Sequence, residues 1–159
     1  MNKHELYMEQ CKLYSKFSKC QFTQVGAIAV NENGRIIATG VNGTLSGSKN
    51  CCDVHFDSRD DHVEFTKNHE IHAEANLLLE LALSSVTFKN LTVYLTISPC
   101  PECFKLLMGL TRQDSRVKMI VYNEKYHRVP EHKLEQMKQV ALNNHSSLCS
   151  LTELLEEEN

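Results

Sequence analysis

No stretch of this sequence is apolar for long enough to cross a membrane, and its opening residues, Met1-Asn2-Lys3-His4-Glu5, do not lead into the apolar core of a secretory leader. No stripe of Lys or Arg runs through it: 17 basic residues stand against 20 acidic ones, a formal net charge of −3. A protein that grips long nucleic acid without regard to sequence normally carries such a stripe, so the composition argues against an editor of long DNA or RNA. It leaves room for one small anionic substrate held by local donors. Neither an internal repeat nor a linker is visible. The seven cysteines are odd in number and scattered among histidines. With no leader, they read as metal ligands or small core residues of a reduced, cytosolic protein, not as a disulfide framework. At 159 residues, 42% hydrophobic and 23% charged, the chain predicts one soluble domain with a sizeable core. That core spans about residues 4–152, and an acidic tail, 153–159, is left to solvent.

The chemistry concentrates in two stretches, His72-Ala73-Glu74 and Pro99-Cys100-Pro101-Glu102-Cys103. Together they read H-x-E…P-C-x-x-C, the signature of zinc-dependent nucleobase deaminases. Zinc prefers four ligands in a tetrahedron, and a catalytic zinc keeps one position for water. His72, Cys100 and Cys103 supply three. A Cys-x-x-Cys pair at a helix start places both sulfurs on one turn, where the helix N-terminus favours thiolates. Glu74 is then free to act as the proton carrier beside the metal. The alternatives are a purely structural zinc that takes a fourth Cys or His from elsewhere and, for a Cys-x-x-Cys alone, a redox pair.

Residues 4–18 carry helical periodicity, with Leu6, Leu13 and Phe17 on one side and Tyr7, Cys11 and Tyr14 beside them, expected to cover a sheet. Val25–Val30 and Arg35–Val41 flank the turn Asn31-Glu32-Asn33-Gly34 and predict a hairpin. Gly26 and Gly40 mark a close backbone approach, taken as one to a ligand. Residues 42–69 read as a long polar loop whose cysteines and histidines argue for function. A helix over 71–85 turns Ala73, Leu77, Leu78, Leu81 and Ala82 inward and holds His72 and Glu74 in its first turn. Leu91–Ile97 is a strand buried on both faces. A helix over 100–110, a polar insert (Thr111–Arg116), a strand (Val117–Tyr122), an amphipathic helix over 131–143 through Leu134, Met137, Val140 and Leu142, and a last strand near Ser147–Leu151 complete the chain. Strands alternating with helices after a hairpin give an α/β fold: three α-β-α layers around a mixed five-stranded sheet.

The chain resembles the deoxycytidylate (dCMP) deaminases of the cytidine-deaminase-like superfamily, most of all their T-even-phage-like branch. The resemblance covers about residues 10–127. It rests on Gln24-Val25-Gly26-Ala27, Gly40-Val41-Asn42-Gly43-Thr44, Ser46-Gly47, Asn50-Cys51-Cys52, His72-Ala73-Glu74-Ala75-Asn76, Ser98–Cys103 and Lys125-Tyr126-His127, in the family's order. It implies conversion of dCMP to dUMP and ammonia for dTMP synthesis, in the cytoplasm (the host's, if a phage encodes it). Glu74 would be the catalytic residue, and His72, Cys100 and Cys103 the ligands of the catalytic zinc. Asn42 would hold the sugar hydroxyl, backbone groups of Ala73 and Ser98 would read the base, and Val25 and Tyr126 would line the substrate site. Lys125, His127 and Arg128 become candidates for the phosphate.

The same resemblance implies a second, structural zinc on Cys20, Cys51, His62 and Glu70, with Cys52, His55 and His69 as spare candidates. It also implies a homohexamer activated by dCTP and inhibited by dTTP with Mg²⁺, through a loop containing Asn42, Gly43, Thr44, Gly47 and Asn50. The chain departs from the family in the longer, more polar Gly109–Arg116 segment, in Leu45 where proline is usual, and in Glu80 and Leu83 where aromatic or basic residues are expected. The competing readings are a deaminase of another free nucleoside or base, and a zinc-binding scaffold without catalysis, against which the retained Glu74 argues.

Overall fold

A computed structural model of the chain describes residues 1–110 and 114–158. Helix α1 (Lys3–Ser15) leads into the hairpin β1 (Gly26–Val30) and β2 (Ile36–Val41). A short strand, β3 (Gly43–Thr44), and a single 3₁₀ turn (Cys51–Asp53) follow, then α2 (Arg59–His69), β4 (Glu70–Ile71) and α3 (Ala73–Leu83). Next come β5 (Asn90–Ile97), α4 (Pro101–Gly109), β6 (Arg116–Glu124), α5 (Glu131–Asn143), β7 (Ser147–Ser150) and α6 (Leu151–Glu157).

Five strands form one mixed sheet, as the strand alternation predicts, and their order is β2-β1-β5-β6-β7. The β1–β2 and β1–β5 pairs are antiparallel, while β5–β6 and β6–β7 are parallel, each through a helical crossover. Side chains alternate across the sheet. Ala27, Ala29, Val93 and Leu95 face Leu77, Phe104 and Leu134 of α3, α4 and α5. Ile28, Tyr94 and Val121 face Met8 and Cys11 of α1 and Leu154 of α6.

Several sequence-based expectations are corrected. Helix α1 buries His4, Met8, Cys11 and Ser15, whereas Leu6, Leu13 and Phe17 are 51%, 69% and 71% exposed. The reason lies in β1. A Cβ at Gly26 would lie 2.5 Å from the Cys11 carbonyl oxygen and 2.9 Å from the Ser15 nitrogen, so the helix rests directly on the strand through the face that carries Cys11 and Ser15. Gly40 likewise admits a helix, α3, and not a ligand. In α3 Leu78 is half-buried and Ala82 exposed, and in α5 Ala141 takes the inward position while Val140 and Leu142 stay exposed.

The segment read as one long loop holds α2, capped by Ser58, whose hydroxyl accepts from the Asp61 N–H at 3.1 Å. It also holds the β3–β4 ladder, where Gly43 pairs with Ile71 and Thr44 with Glu70. The acidic tail is ordered as α6, started by a Ser150/Glu153 capping box and anchored by buried Leu154. Of the polar insert, residues 111–113 lie outside the described residues, as does Asn159.

Candidate active site

Two helices begin at the C-terminal end of β5, and their first turns face each other. His72 is the N-cap of α3, and Cys100, delivered by β5, is the N-cap of α4. Pro101 occupies the first helical position of α4, where its missing N–H costs nothing, and the Cys100 sulfur accepts from the Cys103 N–H at 3.5 Å. His72 Nδ1 lies 3.3 Å from Cys103 Sγ and 3.7 Å from Cys100 Sγ. Two such ligands on one tetrahedral zinc stand about 3.6 Å apart, from Zn–S and Zn–N bonds of about 2.3 and 2.0–2.1 Å. The three residues therefore fit a zinc ion as they stand.

The cluster is graded in exposure: His72 is exposed, Cys100 half-buried and Cys103 buried. It is open on the side of a pocket lined by His72, Ala73, Glu74, Ser98 and Cys100. The Cys103 thiol hydrogen-bonds to Cys100 and, with His72, draws its pKa down to about 4 against the effect of burial. The same hydrogen bond, together with burial and the charge of Glu74, pushes Cys103 up. Glu74 is 5% exposed, and burial raises its pKa, partly offset by its own backbone N–H and by His72.

A second cluster lies deeper. The ligand atoms of Cys20, Cys51 and His62 all fall within 4.8 Å of one another, and all three residues are buried. The Cys20 Sγ to His62 Nε2 separation is 3.5 Å, again near the tetrahedral value. Glu70 adjoins it: its Oε1 is buried with no hydrogen-bond partner among the described residues. Burial raises the Glu70 pKa, while Cys20 and Cys51 pull it the other way. Burial also pushes the Cys51 thiol up to about 11 and the His62 imidazole down, the latter helped by Arg59 and Arg128. A buried orphan carboxylate oxygen beside two thiols and an imidazole is the donor set of a closed, four-ligand zinc. Cys52 and His55 are exposed and outside this group, and His69 stacks on Phe65 instead.

The matching family model is the cytidine and deoxycytidylate deaminase zinc-binding region, which fits residues 1–123. The deoxycytidylate deaminase of Enterobacteria phage T4 is 34% identical over 148 residues, covering 72% of this chain and 74% of the phage protein. The chain belongs to the cytidine and deoxycytidylate deaminases. The ComE operon protein 2 of Bacillus subtilis is 32% identical to this deaminase over 123 residues, covering 77% of the chain and 60% of that protein. Among solved structures, the dCMP deaminase of cyanophage S-TIM5, crystallised with dCMP and dUMP, superposes with a TM-score of 0.72 at 32% identity, covering 92% of this deaminase and 95% of that chain.

The pocket gathers Val25, Asn42, Ala73, Ser98, Tyr126, His127 and Arg128, as the sequence reading expects. It does not gather Lys125, whose ammonium is turned away to Glu131. Asn42 is mostly committed to the scaffold. Its Oδ1 accepts from the Val25 N–H at 2.8 Å and its Nδ2 donates to the Thr23 carbonyl at 2.9 Å. Ser98 donates its N–H to the Glu124 carbonyl at 2.8 Å, and its hydroxyl accepts from the Tyr126 N–H at 2.8 Å, fixing the tyrosine beside the pocket. Gly43 and Thr44 lie in β3, while Gly47 and Asn50 lie in the exposed loop beyond it, none of them on the pocket wall.

Thr23, Arg59 and Thr66 line the pocket without having been singled out from the sequence. Nothing in the polar run Ser58-Arg59-Asp60-Asp61 marks Arg59; only the turn of α2 toward the pocket does.

Proposed function

We propose that this deaminase hydrolyses dCMP to dUMP and ammonia, supplying dUMP for dTMP synthesis in the cytoplasm. The observation that carries the reading is the buried Glu74 carboxyl, which faces the same pocket as His72 and Cys100. In this reading His72, Cys100 and Cys103 hold the catalytic zinc, which when bound lowers the pKa of its water and polarises it for attack. Glu74 accepts one proton from the attacking water and delivers it to N3 of the cytosine; it then takes the remaining proton from the hydroxyl added at C4, which becomes the carbonyl of the product, and gives it to the amine that leaves C4 as ammonia. Its burial raises the pKa, which suits a group that must hold a proton between the two transfers.

The Ala73 N–H, at the first position of α3, is one a helix leaves without an internal partner, which supports its role as a donor to the base. The Ser98 N–H is spent on Glu124, so the carbonyl of Ser98 is its means of accepting from the exocyclic amine. Val25, Tyr126 and His127 line the pocket, and Asn42 retains a lone pair on Oδ1 for the sugar hydroxyl. Cys20, Cys51, His62 and Glu70 hold a second zinc, which ties the segment after α1 to α2 and β4.

Regulation by dCTP and by dTTP with Mg²⁺ completes the proposal. It is supported by the ladder that joins Gly43 and Thr44 to Glu70 and Ile71, next to His72: a nucleotide on the Asn42–Asn50 loop would have a short route to the site. Assembly into a hexamer is supported by the apolar side chains left outside on α1 and α3, such as Leu6, Leu13, Leu79 and Leu83. The test is ammonia release from dCMP, CMP, deoxycytidine and cytidine, with and without dCTP and dTTP, on zinc-loaded protein. Preference for dCMP supports the reading; equal turnover of deoxycytidine overturns it.

A further inference from the structure

Two guanidinium groups on the pocket wall, Arg59 and Arg128, take no part in moving protons. Arg59 opens α2, and Arg128 lies in the turn between β6 and α5, so distant parts of the chain bring them to one cavity. The inner wall of that cavity is acidic, with Glu70 and Glu74, which leaves the two arginines as its cationic side. Elsewhere in this acidic protein Lys12, Lys105, Lys125 and Lys138 each meet a carboxylate. Among the described residues neither Arg59 nor Arg128 does.

Arg59 is held from behind. Its guanidinium carbon stacks 4.1 Å from the centre of the Phe22 ring, and its Nη1 is 2.7 Å from His62 Nδ1. A metal held by His62 through Nε2 would leave the imidazole proton on Nδ1, facing a guanidinium that can only donate, so that the Phe22 face would then be the support of Arg59. Arg59 lines the pocket with its guanidinium against the Phe22 face. The planar fork of a guanidinium pairs with two oxygens of a phosphate at once, which an ammonium cannot do.

We infer that Arg59 and Arg128 form a phosphate clamp that reads the 5′-phosphate of the substrate and so sets the preference for a nucleotide over a nucleoside. This rests on the dCMP reading above. It replaces Lys125, which is engaged by Glu131, with Arg59 as the partner of Arg128.

The experiment compares wild type, Arg59→Ala, Arg59→Lys and Arg128→Ala as zinc-loaded full-length protein. Kinetics on dCMP and deoxycytidine are paired with calorimetric binding of dUMP and deoxyuridine, and zinc content and melting temperature check that each variant is folded. For either alanine variant, the ratio of kcat/KM on dCMP to that on deoxycytidine is expected to fall about 10- to 100-fold, mostly through KM, as befits a lost charged hydrogen bond. Binding of dUMP is expected to weaken by a similar factor relative to deoxyuridine, and Arg59→Lys to recover part of the loss. An unchanged ratio in Arg59→Ala, or equal losses on both substrates, overturns the clamp. A wild type that treats dCMP and deoxycytidine alike overturns the dCMP reading itself, whereas a wild-type preference that Arg59→Ala retains defeats the clamp alone.

Discussion

A Cβ placed on Gly40 would lie 2.1 Å from the carbonyl oxygen of Ala73, closer than any real side-chain contact. The backbone of β2 thus touches the first turn of α3, the turn that carries His72 and Glu74. It sets the depth of both side chains in the pocket.

Gly40→Ala is therefore expected to push α3 outward or to unfold it. Overpacking of this kind costs about 1–3 kcal/mol, and activity should fall further than stability because His72 moves relative to Cys100 and Cys103. Gly109→Ala is the control: among the described residues nothing stands within 4 Å of the added Cβ, and helix propensity favours alanine by up to about 1 kcal/mol. Melting curves and zinc content of the two variants decide. Equal behaviour would show that the close approach is not a constraint.

Glu74→Gln keeps the size and burial of the side chain and removes its capacity to carry a proton. Zinc content and melting temperature should stay near wild type, because His72, Cys100 and Cys103 are untouched, while kcat on dCMP should fall by about 10²- to 10⁴-fold. Near-normal turnover in that variant would remove Glu74 from the proton path.

The buried cluster makes a separate prediction. Cys51→Ser should lower zinc by about one ion per chain and lower the melting temperature, since metal binding free energy at a buried site is folding free energy. Glu70→Gln should weaken retention of the same ion under chelator while leaving the ion at His72 in place. An unchanged metal count in Cys51→Ser would defeat the second site.

The mixed five-stranded sheet and the His72, Cys100 and Cys103 set were legible because each is written in local patterns: the hairpin turn at Asn33-Gly34, the apolar run of β5, the spacing of H-x-E and C-x-x-C; the Cys20, Cys51, His62 and Glu70 set is scattered along the chain and came only with the family resemblance. What the sequence hid depends on contacts between distant residues. The outward Leu6, Leu13 and Phe17 look like a core stripe until β1 is seen to present Gly26 and Ile28, which accept Cys11, Ser15 and Met8 instead. Helix α2 is so polar that its only marks are the Ser58 cap and the two aspartates of its first turn. The pocket's Arg59 had no mark of its own. The glutamates of the tail suggest a solvated end, although Ser150 and Glu153 carry the spacing of a capping box.

Residues of that tail also close over the first helix and give the fold an acid-sensitive joint. His4 is buried; its Nδ1 is 2.7 Å from the Tyr94 hydroxyl and its Nε2 is 3.3 Å from Glu158, which Asn2 Nδ2 also holds at 2.7 Å. Burial lowers the His4 pKa below its ordinary 6.5; Glu158 opposes this and Lys3 adds to it. The unfolded chain therefore takes up a proton here before the folded one does, so stability falls as pH drops below about 6.5 toward the folded value. The hydrogen bond from Asn2 holds Glu158 below its ordinary 4.5, so its contribution is lost only at lower pH and does not confuse the window. His62 shares the sign of the His4 effect, and a comparison between variants isolates the latter. Urea midpoints of wild type and His4→Gln, both zinc-loaded, should converge as pH is lowered from about 7.5 to about 5, because only the wild type loses the His4 contribution. Parallel midpoints across that range would show that His4 titrates alike in the folded and unfolded chains.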